Sequence, residues 1–291
     1  NRVRVEGRPL GFDTVVAASA EHRLAVVAPW EKAVGTPARA EVWVLEVCSA
    51  DPDVLYAGFG VEADGVYRSA DGGASWMETA LQNEDAEVFG LAVDPDDCDT
   101  VYAGAWRDGV RKSDNGGRTW DASPRGPEDA FVYSVVVDPI DQDVLYAGTA
   151  ERGVHRSDDA GATWRTWGLD TLTVPYLSVA SDGQVVYAAT WGDGVYRRGR
   201  VGARWSEVNE GIPAEHHDVY AVAVDPQDRS TAFAATASGG VYRTLNSGGT
   251  WERVLPSPEA AFAVAVVPGR NGMVYAGAAD GLYRIGVGGA P

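Results

Sequence analysis

Helical periodicity is missing from this chain of 291 residues, and no apolar run approaches the ~18 residues of a membrane-spanning helix. Positive charge is scarce: 24 Lys and Arg face 42 Asp and Glu, a formal net charge of −18. Such a surface repels nucleic acid and anionic lipid and favours a cationic or neutral partner. The two cysteines have no metal-ligand spacing, and no metal or cofactor is expected. The G-x-S-x-G, H-E-x-x-H and P-loop signatures are absent. No secretory leader is visible, although a chain that opens at Asn1 without Met fits a processed start.

What is present is repetition. One short phrase is written five times and closed each time by tryptophan: residues 69–76, 113–120, 157–164, a worn copy at 198–205, and 244–251. The closing residues Trp76, Trp120, Trp164, Trp205 and Trp251 stand 44, 44, 41 and 46 residues apart. Self-similarity at about 40–50 residues marks a repeat architecture whose units bury their apolar faces against one another.

The copy at 87–123 reads most clearly. Residues 87–93 alternate as a strand does, and the Asp-Pro-Asp-Asp cluster at 94–97 is a turn. Residues 100–104 form a short apolar strand, Gly109 turns into a third, and a glycine-rich turn leads to a fourth at 119–122. Four short antiparallel strands per unit predict the blade of a β-propeller. The first two strands recur six times, at 42–58, 88–104, 132–148, 176–189, 219–235 and 262–277, yet only five copies have a Trp-closed fourth strand. The last copy stops at Ile285, and residues 24–28 have the spacing to complete it.

The expectation is therefore an all-β chain, one propeller domain over residues 1–291. It has an N-terminal closing strand and linker in 1–41, six four-stranded blades over 42–285, and a tail at 286–291. A degenerate seventh blade from residues 2–18 is the alternative. Cys48 ends one first strand and Cys98 lies in the next repeat's first turn. Stacked repeats could bring them within the ~7 Å between Cα atoms that a disulfide allows, and two free thiols are the other reading.

The turn S-x-D-x-G-x-[T/S]-W, preceded by Gly-Val-Tyr-Arg at 65–68 and 240–243, resembles the Asp-box or BNR repeat over residues 42–285. Sialidases, xyloglucanases, sortilin-type receptors, certain lectins and photosystem II assembly factors share this repeat. The resemblance thus implies a propeller without choosing a function. Physically the box is scaffold. A carboxylate such as Asp71 can accept the N–H groups of its own turn, and the closing tryptophans supply buried area at the outer edge of each blade.

An enzyme of these families would need more than the box. The Arg-Ile-Pro signature of sialidases is absent, and Arg68, Arg156, Arg197, Arg243 and Arg284 recur at one blade position, which spreads them around the ring. Xyloglucanase-like catalysis places two carboxylates between two propellers, and this chain has room for one. No sequence spacing singles out a carboxyl pair for the roughly 5–9.5 Å separation that glycoside hydrolysis requires.

Binding residues are expected where loops break the repeat: Trp106, Asp108, Trp191, Asp193, and the linker cluster Glu215, His216, His217 and Asp218. The two imidazoles could take a transition metal, but adjacent loop histidines do not usually aim at one ion. Just inside the same face, Trp43, Phe89, Tyr133, Tyr176, Tyr220 and Phe262 recur at one repeat position. They serve either as packing between blades or as a stacking platform for a sugar or peptide. The reading is a non-catalytic binding or scaffolding propeller that recognises a protein partner or glycan through one loop face, outside the cytoplasm. The resemblance adds the role of subunit or assembly factor in a larger complex. A carbohydrate-active enzyme or lectin is the alternative.

Overall fold

Alternating valine and alanine, broken by glycine and Asp-Pro turns, fold each repeat into an antiparallel sheet. The computed structural model describes residues 34–36, 41–60, 65–81, 87–105, 109–122, 126–127, 130–200, 204–256, 260–267 and 273–286. Blade 1 holds β1 (Glu41–Val47), β2 (Leu55–Gly60), β3 (Gly65–Ser69) and β4 (Met77–Glu78). Blade 2 holds β5 (Val88–Val93), β6 (Val101–Ala105), β7 (Gly109–Ser113) and β8 (Asp121–Ala122). Blade 3 follows with β9 (Val132–Val137), β10 (Leu145–Thr149), β11 (Val154–Ser157) and β12 (Arg165–Gly168). Blade 4 is β13 (Tyr176–Val179), β14 (Val185–Thr190), β15 (Gly194–Gly199) and β16 (Ser206–Glu207). Blade 5 is β17 (Val219–Asp225), β18 (Asp228–Thr236), β19 (Gly240–Thr244) and β20 (Glu252–Leu255). Blade 6 contributes β21 (Ala261–Val266), β22 (Val274–Ala278) and β23 (Gly281–Ile285).

Strand order within every blade follows the chain, and the first strands β1, β5, β9, β13, β17 and β21 all line one central channel. The fold is the expected six-bladed β-propeller. Second strands form the cores between blades, where Tyr56, Tyr102, Tyr146, Tyr187 and Phe233 are fully buried. One small residue per second strand lets the next blade approach. A Cβ on Gly58 would meet Val88, and one on Gly148 would meet Val174, each closer than 3.0 Å.

The glycine-rich turns act as scaffold. In the first copy Asp71 Oδ1 accepts the Ser75 N–H at 2.8 Å, Ser69 Oγ accepts the Gly73 N–H at 2.9 Å, and Trp76 Nε1 donates to the Gly73 carbonyl at 3.1 Å. The copy containing Asp159 repeats these bonds, and Asn115 and Asn246 take the carboxylate's place in two others. Trp164 and Trp251 are buried, whereas Trp76, Trp120 and Trp205 are half-buried. The indoles also tie blades together: Trp251 Nε1 donates to the Val208 carbonyl, and Trp205 Nε1 to the Trp167 carbonyl.

A disulfide joins Cys48 at the end of β1 to Cys98 in the first turn of blade 2, with Cα atoms 5.5 Å apart. At the other flank of blade 1, Val42 is 39% exposed, although its equivalents Val88, Val132 and Val219 are fully buried. The closing strand expected at 24–28 and the seventh-blade alternative at 2–18 lie outside the described residues. Next to that flank, Val34 forms a parallel bridge with Ser75, and the Val34 carbonyl accepts the Trp76 N–H at 2.9 Å.

Candidate functional site

Five of the six first strands carry a one-residue β-bulge at their start, between Val42 and Val44, Val88 and Gly90, Val132 and Ser134, Val219 and Ala221, and Ala261 and Ala263. A bulge leaves its extra residue out of the ladder and re-aims it. The extra residues are Trp43, Phe89, Tyr133, Tyr220 and Phe262, and all five line the channel.

Tyr176 requires a correction, because it does not share this position. It pairs with Ala189, in the register of Val44 with Gly58 and Gly90 with Gly104, one residue further along. The ring position in blade 4 is held by Pro175, which has no N–H and stands outside the ladder. Trp191, from the turn after β14, fills the gap. Its ring centre is 5.2 Å from Tyr133 and 6.3 Å from Tyr220. Trp43–Phe89 at 5.0 Å, Phe89–Tyr133 at 5.5 Å and Tyr220–Phe262 at 5.5 Å continue the series. Among the described residues, a girdle of six aromatic rings thus lines one mouth of the channel.

Below the girdle lies a cavity of about 430 Å³, and Pro95, Pro139 and Pro226 of the Asp-Pro turns line its far end. The wall is apolar with few exceptions. Ser134 Oγ and Ser178 Oγ accept the Leu177 and Val224 N–H groups, which stitches neighbouring first strands together. Among the described residues, the single carboxyl group in this wall is Glu46. Glu46 pairs with Tyr56 where the other blades pair Ala92, Val136, Ser178, Ala223 and Ala265 with their second strands. Water reaches part of the side chain through the channel, but protein surrounds it, and burial pushes its carboxyl up from 4.5 to about 8. Burial, with the nearby Glu46 carboxyl adding to it, raises the Tyr176 phenol as well. Sequence reasoning missed Glu46. The signal lay in aligning the repeats, since a carboxylate stands where every other copy is small or apolar.

The expected loop residues are only partly brought together. Trp106 and Asp108 lie outside the described residues. Asp193, Glu215 and Asp218 are exposed on the girdled face. A short 3-10 turn, Ala214–His216, braces this linker. His216 Nδ1 and the Tyr242 hydroxyl share a hydrogen bond of 2.6 Å, and His217 Nε2 donates to the Ile212 carbonyl at 3.1 Å. The two imidazoles therefore point at different partners, and no group of three or more metal-ligating side chains occurs among the described residues. Backbone bonds from Gly194 N–H to the His217 carbonyl and from Ala237 N–H to the Asp218 carbonyl fix the linker to neighbouring loops.

The repeated arginines stay on the blades, as their spacing implies. Arg68 bonds Tyr56 and Asp99, Arg156 pairs with Asp158, Arg243 with Glu252, and Arg197 lies over the Tyr187 ring. They do not converge on the channel.

No protein-family model matches this chain, and no curated protein matches it in sequence. Solved structures do. The GH74 xyloglucanase from Xanthomonas campestris superposes with a TM-score of 0.73 at 20% identity, over 86% of this chain and 46% of its own. The Niastella koreensis GH74 enzyme gives 0.72 at 20% identity, over 84% of this chain and 44% of its own. YCF48 bound to D1 peptide gives 0.68 at 15% identity, over 93% of this chain and 84% of its own. The chain spans less than half the length of these two GH74 enzymes. At such identities the likeness establishes the propeller fold and nothing narrower.

Proposed function

We propose that this propeller is a non-catalytic binding module whose working surface is the girdled mouth of the central channel, and that its ligand is a peptide segment of a protein partner. The girdle carries the reading. Six rings from six chain segments converge there, and the sixth is supplied by a tryptophan outside the repeat, so the ring series continues where blade 4 has no aromatic at the repeat position. Aromatic rings presented around an opening give large contact area at low entropic cost, which is the usual chemistry of a recognition surface. The resemblance of the repeated turns to Asp-box propellers and the likeness to a YCF48 structure holding a D1 peptide support a peptide ligand and a role as subunit or assembly factor. The Cys48–Cys98 bridge supports an oxidising, extracytoplasmic setting.

The competing reading is glycoside hydrolysis, favoured by the two GH74 superpositions. It needs two carboxyl groups roughly 5–9.5 Å apart. Glu46 stands alone in the channel wall among the described residues. Two assays in parallel separate the readings: release of reducing ends from xyloglucan, and capture of a protein partner from native extract by wild type and by a Tyr133→Ala, Trp191→Ala double variant. Capture lost in a variant that still melts near the wild-type temperature supports binding. Hydrolysis that disappears on replacing one acidic residue overturns it.

A further inference from the structure

The structure assigns a specific ligand to the channel itself: we propose that Glu46 and the aromatic girdle form a site for an organic ammonium or guanidinium group, presented by the partner as a lysine, arginine or terminal amine. This deepens the peptide-binding reading and rests on it for the identity of the partner, though not for the chemistry of the site.

Three observations converge. First, the cavity of about 430 Å³ has room for a side chain below the girdle. Second, the Glu46 carboxyl group has no hydrogen bond or ion pair with the described residues, and it is the single carboxyl group among them in a wall that is otherwise largely apolar. A carboxyl group held partly out of water in an apolar wall with no protein partner gains from pairing with a cation. Third, six aromatic rings line the path to it, and aromatic rings attract cations. Trp43 and Glu46 are three residues apart on β1, about 10 Å along a strand. A long basic side chain entering at the girdle, met by the Glu46 side chain from below, spans that depth.

The groups that face Glu46 leave it as the titrating member of the site. Opposite it stand Ala92 of β5, Val136 of β9, Ser178 of β13, Ala223 of β17 and Ala265 of β21, none of which titrates. The Tyr176, Tyr133 and Tyr220 phenols are all pushed up by burial and stay neutral. Across the β1–β2 pair, the Tyr56 hydroxyl is engaged with the Cys98 carbonyl and Arg68, and Arg68 is itself paired with Asp99.

The test uses n-butylammonium as probe and n-butanol as its uncharged counterpart, titrated calorimetrically into the whole protein. Butylammonium should bind, and butanol should bind at least tenfold more weakly. Because the amine stays charged to pH 9 while the carboxyl ionises near 8, the affinity should rise about tenfold between pH 7 and pH 9. Glu46→Gln, which keeps the size of the side chain, should abolish both the binding and its pH dependence while the protein still unfolds in one cooperative transition. Equal affinity for amine and alcohol, an unchanged Glu46→Gln variant, or no binding of the amine by wild type overturns the site. The probe needs no partner, so a failure of the girdled mouth as a docking surface leaves this titration unaffected. A protein that captures its partner yet ignores the amine removes the channel site alone.

Discussion

The ring of Trp191 lies 5.2 Å from that of Tyr133 and takes the place that blade 4 leaves vacant by having Pro175 at its bulge position. Trp191 belongs to a turn, so its removal leaves the strand ladder of blade 4 intact. Trp191→Ala should weaken partner binding about 30-fold, the loss expected for an aromatic hot spot worth about 2 kcal/mol. The melting temperature should stay within a few degrees of wild type. A calorimetric melt beside a binding isotherm checks both.

The Cys48–Cys98 bond closes a loop with a sequence separation of 50 residues and joins blades 1 and 2. Changing both cysteines to serine should cost about 2–4 kcal/mol, most of it through the unfolded chain. Urea unfolding with and without reductant measures this. Reductant should destabilise the wild type and leave the double variant unmoved.

Burial ranks the closing tryptophans. Trp251 is buried and bonded to the preceding blade through the Val208 carbonyl, so Trp251→Ala should cost about 3–5 kcal/mol. Trp76 is half-buried and its indole bonds within its own turn, so Trp76→Ala should cost clearly less. Denaturant midpoints of the two variants give the order directly.

Glu46 makes stability depend on pH in a defined direction. Its carboxyl is raised from 4.5 to about 8 in the folded chain, so between those values the folded state binds more protons than the unfolded one. Stability therefore falls as pH rises through that window and stays low above it. Glu46→Gln removes the effect. The melting temperature of the variant relative to wild type should be higher at pH 9 than at pH 5, by several degrees.

The fold was legible in the sequence because repetition exposes it: the spacing of Trp76, Trp120, Trp164, Trp205 and Trp251 and the Tyr-Ala-Gly second strands are local patterns copied many times. The arginine positions and the scaffold role of Asp71 followed from the same regularity. The site was legible only in part, because sites break repeats. Tyr176 resembles the ring aromatics in sequence because it opens its strand as they nearly do, and only the register with Ala189 shows the offset. Trp191 stood out as a tryptophan without a strand role, but its place among Tyr133 and Tyr220 depends on where the turn after β14 lands. Glu46 escaped notice because a glutamate in a strand reads as solvated. Its neighbours across the channel come from five other strands, which no local window contains.

Whether the partner sits on the girdled mouth is read most directly by amide hydrogen exchange on the captured complex. New protection should appear at the start of β9 beside Tyr133, in the turn at 191–194, and along the linker at 214–218, with the opposite face unchanged. Protection confined to the Asp-Pro turns at 94–97, 138–141 and 225–227 would contradict that placement.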